Sequence, residues 1–234
     1  MSKKPHKVLG VLGGMGPAAT AEFLRLLAEL AGAERDQDHP KILLCSNPQI
    51  PDRTAAILWG GEDPAPLILE GLKTIESWGA ELLAVPCSTA HVFIDQFREK
   101  LQVPLVHIVE ETLSLARQRS PEGAWLIATM ATIASGIYSR EAQSQRYDLL
   151  LPDEDVQEEL QEIVSLVKAN HLGESGMAMA EVVRGLQKKR PLPVVGACTE
   201  LPLAYKASGL DPKGMVSSLE SLAEACLERI YNTG

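Results

Sequence analysis

Two cysteines lie where an apolar run changes into a helix-like segment, a position at which a thiol can act on a ligand. Cys87 follows ELLAVP within AVPCSTAHVF (84–93), and Cys198 follows LPVVGA. A hydroxyl residue comes next in each case, Ser88 and Thr199. Ligands of open parallel sheets bind at the carboxyl ends of strands, so both thiols are candidates for catalysis. We expect the following helix to lower each thiol pKa and to offer N–H groups to a carboxylate.

A thiol on each side of a small carboxylic acid suits inversion of a stereocentre. That reaction needs a base on one face of Cα and an acid on the other. The α-proton is very weakly acidic, so fixed donors around the carboxylate must stabilise the carbanion, and losing one such donor typically costs ~10²–10³ in rate. The other two cysteines, Cys45 in an apolar run and Cys226 in SLAEACLERI, are expected to be buried apolar side chains.

Length and composition limit the classes of protein to which the chain can belong. Its 234 residues, 45% of them apolar, suffice for one large core or two small ones. A net charge of −9 argues against nucleic-acid binding. No apolar run approaches the ~20 residues of a membrane span. The cysteines form no C-x-x-C pair, which indicates a reducing, cytoplasmic setting.

Short apolar runs alternate with longer segments of helical period, and this alternation predicts an α/β protein with parallel sheets. Predicted strands cover 7–13, 41–47, 81–86, 103–108, 123–129 and 147–152, and another begins at 192 and runs into Cys198. Predicted helices cover 17–33, 63–79, 89–101, 109–120, 153–170, 174–190 and 211–232. Asp63 and Asp153 are the expected N-caps of two of these helices.

The order of elements restarts near the middle of the chain. Gly13 and Thr129 end the first strand of each half, and Cys87 and Cys198 end a later strand at a similar offset. We therefore predict two similar three-layer α/β domains with mainly parallel sheets, related by a pseudo-two-fold axis, with the active site between them. The first domain comprises 1–107 plus 211–234, because the last helix is expected to return to it, and the second comprises 108–210.

Six segments taken together resemble the aspartate/glutamate racemase family, the cofactor-independent two-thiol racemases, and most closely its aspartate racemase branch. They are LGGMGPAAT (12–20), RDQDHPKILLCSNPQIPDRT (35–54), GEDP (61–64), PCSTAH (86–91), ATMATIASGIY (128–138) and GACTEL (196–201). They span nearly the whole chain in the family's order. The glutamate racemase branch usually has histidine after its second Cys-Thr, whereas this chain has Glu200, which favours the aspartate type.

The resemblance implies roles for individual residues. Cys87 and Cys198 would be the two proton-transfer residues, one for each enantiomer. Arg53 and Lys168 would contact substrate carboxylates, and the planar fork of arginine suits that role. The hydroxyl residues implied to line the carboxylate sites are Ser88, Thr89, Thr129, Thr132 and Thr199. The remaining implied substrate contacts are Met15 and Glu200. The resemblance also implies a homodimer, aspartate as substrate, and no pyridoxal phosphate or metal.

The chain departs from the family pattern at several positions. Ser88 stands where asparagine usually follows the first cysteine, Met130 and Ala131 replace small or hydroxyl residues, and Ala197 replaces glycine. The lost amide keeps two rivals open. One is a related isomerase or decarboxylase acting on another small acid, including a glutamate or broad-specificity racemase. The other is a non-catalytic binder of acidic amino acids.

Two further features allow more than one interpretation. His91, four residues after Cys87, could pair with the thiol or form half of a metal site, but a packing or capping histidine is the preferred interpretation. The run LGVLGGMGP does not fit the G-x-G-x-x-G fingerprint, and KILLCSN (41–47) has no acidic residue at its end to hold a ribose. The glycines therefore indicate close backbone approach to a small ligand rather than a dinucleotide.

Overall fold

The structure, a computed structural model, describes residues 4–232. The strands within this range are β1 Leu9–Gly13, β2 Ile42–Ser46, β3 Leu82–Ala84, β4 Leu105–Val106, β5 Ala124–Ile127, β6 Leu149–Leu150, β7 Val194–Gly196 and β8 Met215–Ser217. The helices are α1 Pro17–Leu30, α2 Arg53–Trp59, α3 Ala65–Ser77, α4 His91–Ile94, α5 Ile108–Arg119, α6 Met130–Ser135, α7 Ile137–Ser144, α8 Glu154–Lys168, α9 Leu172–Lys189, α10 Leu201–Ala207 and α11 Ser218–Tyr231. None of the described helices is both long and apolar enough to cross a membrane.

Two four-stranded parallel sheets form the centre of the molecule. Their strand orders are β2-β1-β3-β4 and β6-β5-β7-β8, so both halves repeat one topology. The central strands β1, β3, β5 and β7 are buried along their whole length, as expected for parallel strands covered by helices on both faces. The predicted fold class is therefore confirmed.

Apolar side chains form three clusters around the two sheets. One packs α3 against the first sheet, with Leu72 and Leu83 among its members. A second packs α8 and α9 against the second sheet. The third combines β1 and α1 with β5 and α11, so Val11 and Leu126 belong to the same cluster. We call this third cluster the middle core, and it joins the two halves.

The C-terminal segment differs from the prediction of one helix over 211–232. After a short 3-10 turn at Pro212–Gly214, β8 pairs in parallel with β7. The predicted domain boundary is thus wrong for β8, which extends the second sheet. Residues 215–217, Met-Val-Ser, form a strand because they are a short run centred on a buried β-branched valine. Helix α11 then packs on α1, as expected, but also on α5. Residues 1–3 and 233–234 of the predicted first domain lie outside the described residues.

The helix predicted over 89–101 is also wrong. The structure has the four-residue α4 and a separate 3-10 turn at Arg98–Lys100. The N–H groups of His91, Val92 and Phe93 donate to carbonyls three residues earlier, which tightens this turn and prevents a long α-helix. The segment after Cys87 is consequently a compact turn.

The remaining differences concern two predicted N-caps and three short helices. Asp153 stands before α8, but its carboxylate pairs with Lys189 and makes no capping bond. The N-cap of α3 is Pro64 and not the predicted Asp63. Asp63 lies one residue before the N-cap and still accepts the Ala65 N–H at 2.9 Å. Helices α2, α6 and α7 were not predicted; they lie in short segments without a long apolar period.

Candidate active site

The carboxyl ends of the two central strands in each sheet meet at one cavity. Met15 follows β1, Cys87 follows β3, Thr129 follows β5 and Cys198 follows β7, and all four line this cavity. Identical topology in the two halves therefore brings one thiol from each half to the same small space. We call it the inner cavity.

The inner cavity contains every predicted site residue except Thr132. Its lining residues are Met15, Asp52, Arg53, Thr54, Cys87, Ser88, Thr89, Thr129, Val164, Lys168, Cys198, Thr199 and Glu200. Its volume of about 20 Å³ leaves room for about one water molecule. The walls must therefore move apart before an amino acid can enter.

Hydroxyl groups from both halves form a continuous network along one wall. The Thr132 Oγ1 lies 2.9 Å from the Oγ1 atoms of both Thr89 and Thr129. Thr132 thus sits behind the lining, where it connects the first half to the second. Thr129 also accepts the Thr132 N–H at 3.2 Å and so begins α6. Such hydroxyls can turn their protons toward a bound carboxylate.

Tyr138 of α7 contacts Ser88 and was not predicted as a site residue. Its hydroxyl lies 3.0 Å from the Ser88 Oγ, and its side chain is fully buried. Burial raises the pKa of Tyr138 to about 12, so it remains a protonated hydroxyl near neutral pH. Tyr138 ends the motif ATMATIASGIY, but nothing in the sequence indicates its contact with Ser88.

The Cys198 thiol is hydrogen-bonded to the buried carboxylate of Glu200. Its Sγ donates to the Glu200 Oε2 at 3.1 Å, and the Thr199 hydroxyl donates to the same oxygen at 3.2 Å. Burial is the largest cause that raises the pKa of Cys198 well above its usual value, and the negative charge of Glu200 adds to it. Cys198 is accordingly held as a thiol.

Cys87 has a different electrostatic environment. Burial raises its pKa, as does Glu200, whereas the positive charges of Arg53 and Lys168 oppose this increase. The expectation that helix N-termini lower both thiol pKa values is wrong. Burial outweighs the helix field, and the helix after Cys87 has only four residues.

Arg53, at the start of α2, has a buried donor without a partner among the described residues. Its Nη1 donates to the carbonyl oxygens of Ile50 at 3.0 Å and Pro51 at 2.9 Å. Its Nε is buried and has no hydrogen-bond partner among the described residues. A buried donor without an acceptor is unfavourable, so this group favours an incoming anion such as a carboxylate.

Sequence reasoning missed Asp52, Thr54 and Val164 in the inner cavity. Asp52 and Thr54 flank Arg53 in the quoted PDRT, and Asp52 accepts the Ala55 N–H at 2.7 Å to cap α2. Val164 lies four residues before Lys168, which places both on one face of α8. That spacing was an available signal.

His91 contacts the backbone of Cys87 rather than its thiol. Its Nδ1 lies 2.9 Å from the Cys87 carbonyl oxygen, and its ring packs edge-to-face on His107 at 4.5 Å. Burial is the main cause that lowers the pKa of His91 to about 3, so the ring is neutral. The interpretation of His91 as a packing histidine is confirmed. Across residues 4–232, no three histidine, cysteine or acidic side chains group in a way that would hold a metal ion.

The other two cysteines lie away from the inner cavity. Cys226 is fully buried in α11, as predicted, whereas Cys45 is only half-buried, because β2 is an edge strand. All four cysteines are free thiols.

Comparison with known proteins identifies relatives along almost the whole chain. A solved aspartate racemase from Picrophilus torridus is 29% identical, with a TM-score of 0.82 over 96% of this chain and 94% of that one. The broad specificity amino-acid racemase RacX of Bacillus subtilis is 28% identical over 200 residues, which are 83% of this chain and 86% of that protein. Glutamate racemase RacE1 from Bacillus anthracis, 17% identical, shares the fold with a TM-score of 0.67 over 95% of this chain and 80% of that one.

The family model for Asp/Glu/Hydantoin racemase matches residues 12–226, a range that includes both halves and both cavity thiols. This chain belongs to the Asp/Glu/Hydantoin racemase family and is an amino-acid racemase of that family.

Proposed function

We propose that the protein interconverts L- and D-aspartate without pyridoxal phosphate or metal, by thiol and thiolate proton transfer at Cα. The observation that carries this proposal is that one thiol from each half, Cys87 and Cys198, lines the same inner cavity. A proton can then leave one face of Cα while another arrives at the opposite face, which is what inversion requires.

The two thiols differ in a way that suits these roles. The positive charge of Arg53 lowers the pKa of Cys87, whereas Lys168 lowers the pKa of both thiols, so Cys87 forms a thiolate more readily and takes the α-proton. Cys198, which donates to Glu200, then gives its proton to the opposite face. One C–H bond is broken and one is formed, and the thiolate and thiol exchange places. The ammonium group of a bound amino acid would further favour the thiolate.

Binding groups surround the positions that the substrate carboxylates need. The hydroxyls of Thr89, Thr129 and Thr199 can donate to the α-carboxylate, and this stabilises the negative charge that develops during proton removal. The open Nε of Arg53 and the ammonium of Lys168 suit the second carboxylate of an acidic substrate.

Aspartate is preferred among the candidate substrates for two reasons. The solved relative from Picrophilus torridus is an aspartate racemase, and Glu200 stands where glutamate racemases usually have histidine. The main rival is a glutamate or broad-specificity racemase, favoured by the similarity to RacX and by Ser88.

Exchange of the α-proton in D₂O tests the proposal. L-aspartate should incorporate deuterium and yield D-aspartate with the wild-type protein. Cys87→Ala and Cys198→Ala should each abolish racemisation, whereas Cys45→Ala, outside the cavity, should retain it. A binder would show neither exchange nor inversion, and full activity in either cavity-cysteine variant would contradict the two-thiol mechanism.

A further inference from the structure

A second, larger cavity adjoins the inner one. It has a volume of about 630 Å³, against about 20 Å³ for the inner cavity. We call it the outer chamber. Its lining residues are Gly14, Gly16, Pro17, Ala18, Pro48, Ile50, Asp52, Arg53, Val167, Lys168, Asn170 and Glu200. Four charged residues line both cavities, namely Asp52, Arg53, Lys168 and Glu200.

The charged residues of the outer chamber all lie where it adjoins the inner cavity. All its charged side chains are the four residues shared with the inner cavity, two acidic and two basic, so their formal charges cancel. Beyond them the lining is small or apolar apart from the uncharged Asn170, with Pro48, Ile50 and Val167 as its larger members. A ligand group that extends past the shared residues therefore meets an apolar, uncharged surface.

The division of groups between the two cavities fixes how a substrate would lie. Both thiols and the hydroxyls of Ser88, Thr89 and Thr129 line the inner cavity and are absent from the lining of the outer chamber. The Cα atom and α-carboxylate must therefore occupy the inner cavity. The outer chamber adjoins the inner cavity at the four shared residues, so a side chain longer than that of aspartate extends from the inner cavity into the chamber.

We infer that the outer chamber is a side-chain subsite for α-amino acids with an unbranched apolar side chain longer than that of aspartate, such as norleucine and methionine. This inference rests on the proposed racemase chemistry. The side-chain carboxylate of aspartate would stop at the shared charged residues, whereas a longer apolar chain passes them and contacts the apolar lining of the chamber.

Ala18 offers a way to fill the chamber without disturbing the core. It lies in the first turn of α1, is exposed, and lines the outer chamber but not the inner cavity. Ala18→Phe adds a large side chain there. Ala21→Phe is the matched control, because Ala21 is an exposed alanine of the same helix that lines neither cavity.

The measurement is kcat/KM for α-proton exchange in D₂O with L-norleucine, L-methionine, L-lysine and L-aspartate. We expect wild type to exchange norleucine and methionine. Ala18→Phe should lower the norleucine-to-aspartate ratio by about tenfold, the effect of a lost apolar contact in a specificity pocket. Ala21→Phe should keep the wild-type ratio.

The outcomes separate this inference from the proposed function. Exchange of aspartate without norleucine or methionine would overturn the subsite and leave the racemase standing. Exchange of lysine alone among the long substrates would overturn the apolar class. An unchanged ratio in Ala18→Phe would show that the side chain lies elsewhere. Exchange of none of the four amino acids would overturn the proposed chemistry itself.

Discussion

The two thiols of the inner cavity are equally buried but not chemically equivalent. Each is 6% exposed, so a difference in their reactivity reports their pKa values rather than their accessibility. Glu200 accepts from Cys198, while Arg53 and Lys168 offset part of the effect of burial on Cys87. The resting enzyme therefore has one thiol that ionises more readily than the other.

Alkylation by iodoacetamide should reveal this order. Both pKa values are raised, so both rates should increase as the pH rises through and beyond the ordinary thiol range, with Cys87 modified before Cys198. Glu200→Gln removes a negative charge, lowers the pKa of Cys198 and should speed its modification at pH 8. Peptide mass spectrometry follows each site, and modification of Cys198 ahead of Cys87 in wild type would refute the assignment.

Residue types could be predicted at this scale, but their electrostatics could not. Cys87, Cys198 and Arg53 were identified from short motifs, and the structure places them at one cavity. The direction of the thiol pKa shift was wrong, because burial and the carboxylate of Glu200 depend on the folded environment. The contact of Tyr138 with Ser88 links residues far apart in the chain, and no local pattern indicates it.

At the scale of elements, the turn around α4 holds Cys87 in place. His91 connects this turn to α5, because its Nδ1 contacts the Cys87 carbonyl oxygen and its Nε2 accepts the Ile108 N–H at 3.5 Å. The second half has Pro202 at the equivalent distance after Cys198, so it has no such ring. His91 is therefore a positioning residue for one thiol only.

Substitutions of His91 should affect α-proton exchange of the two enantiomers unequally. His91→Leu leaves the Cys87 carbonyl without its donor and should cost about 1–3 kcal/mol of unfolding free energy. Its α-proton exchange should fall more for one enantiomer than for the other. His91→Asn keeps a donor near the Nδ1 position and should restore much of the exchange. Equal losses for both enantiomers, with no rescue by asparagine, would indicate a purely structural role.

At the scale of the whole molecule, the repeat of one topology explains how the two thiols reach one cavity, and the middle core joins the two halves that carry them. The repeat was predictable from the alternation of strands and helices, whereas β8 was not, because three residues before a long helix give too little pattern. Helix α11 begins at the second sheet and packs on α1 and α5. The two thiol-bearing halves therefore share one apolar cluster.

A shared core predicts that the halves unfold together. Trp125 is the tryptophan of the second half, whereas Trp59 and Trp78 are exposed in the first. In a variant with Trp59→Phe and Trp78→Phe, urea unfolding followed by Trp125 fluorescence should coincide with that followed by far-ultraviolet circular dichroism. Adding Leu222→Ala, in the middle core, should shift both curves together and lower the free energy of unfolding by about 2–5 kcal/mol.

The control is Leu186→Ala, a nearly fully buried leucine in the cluster that covers only the second sheet. It should destabilise the protein by a similar amount without separating the curves, provided that the middle core couples the halves. If the fluorescence transition instead precedes the dichroism transition, the halves unfold separately. The inner cavity would then be a contact between two independent units, and the placement of the thiols would not depend on the middle core.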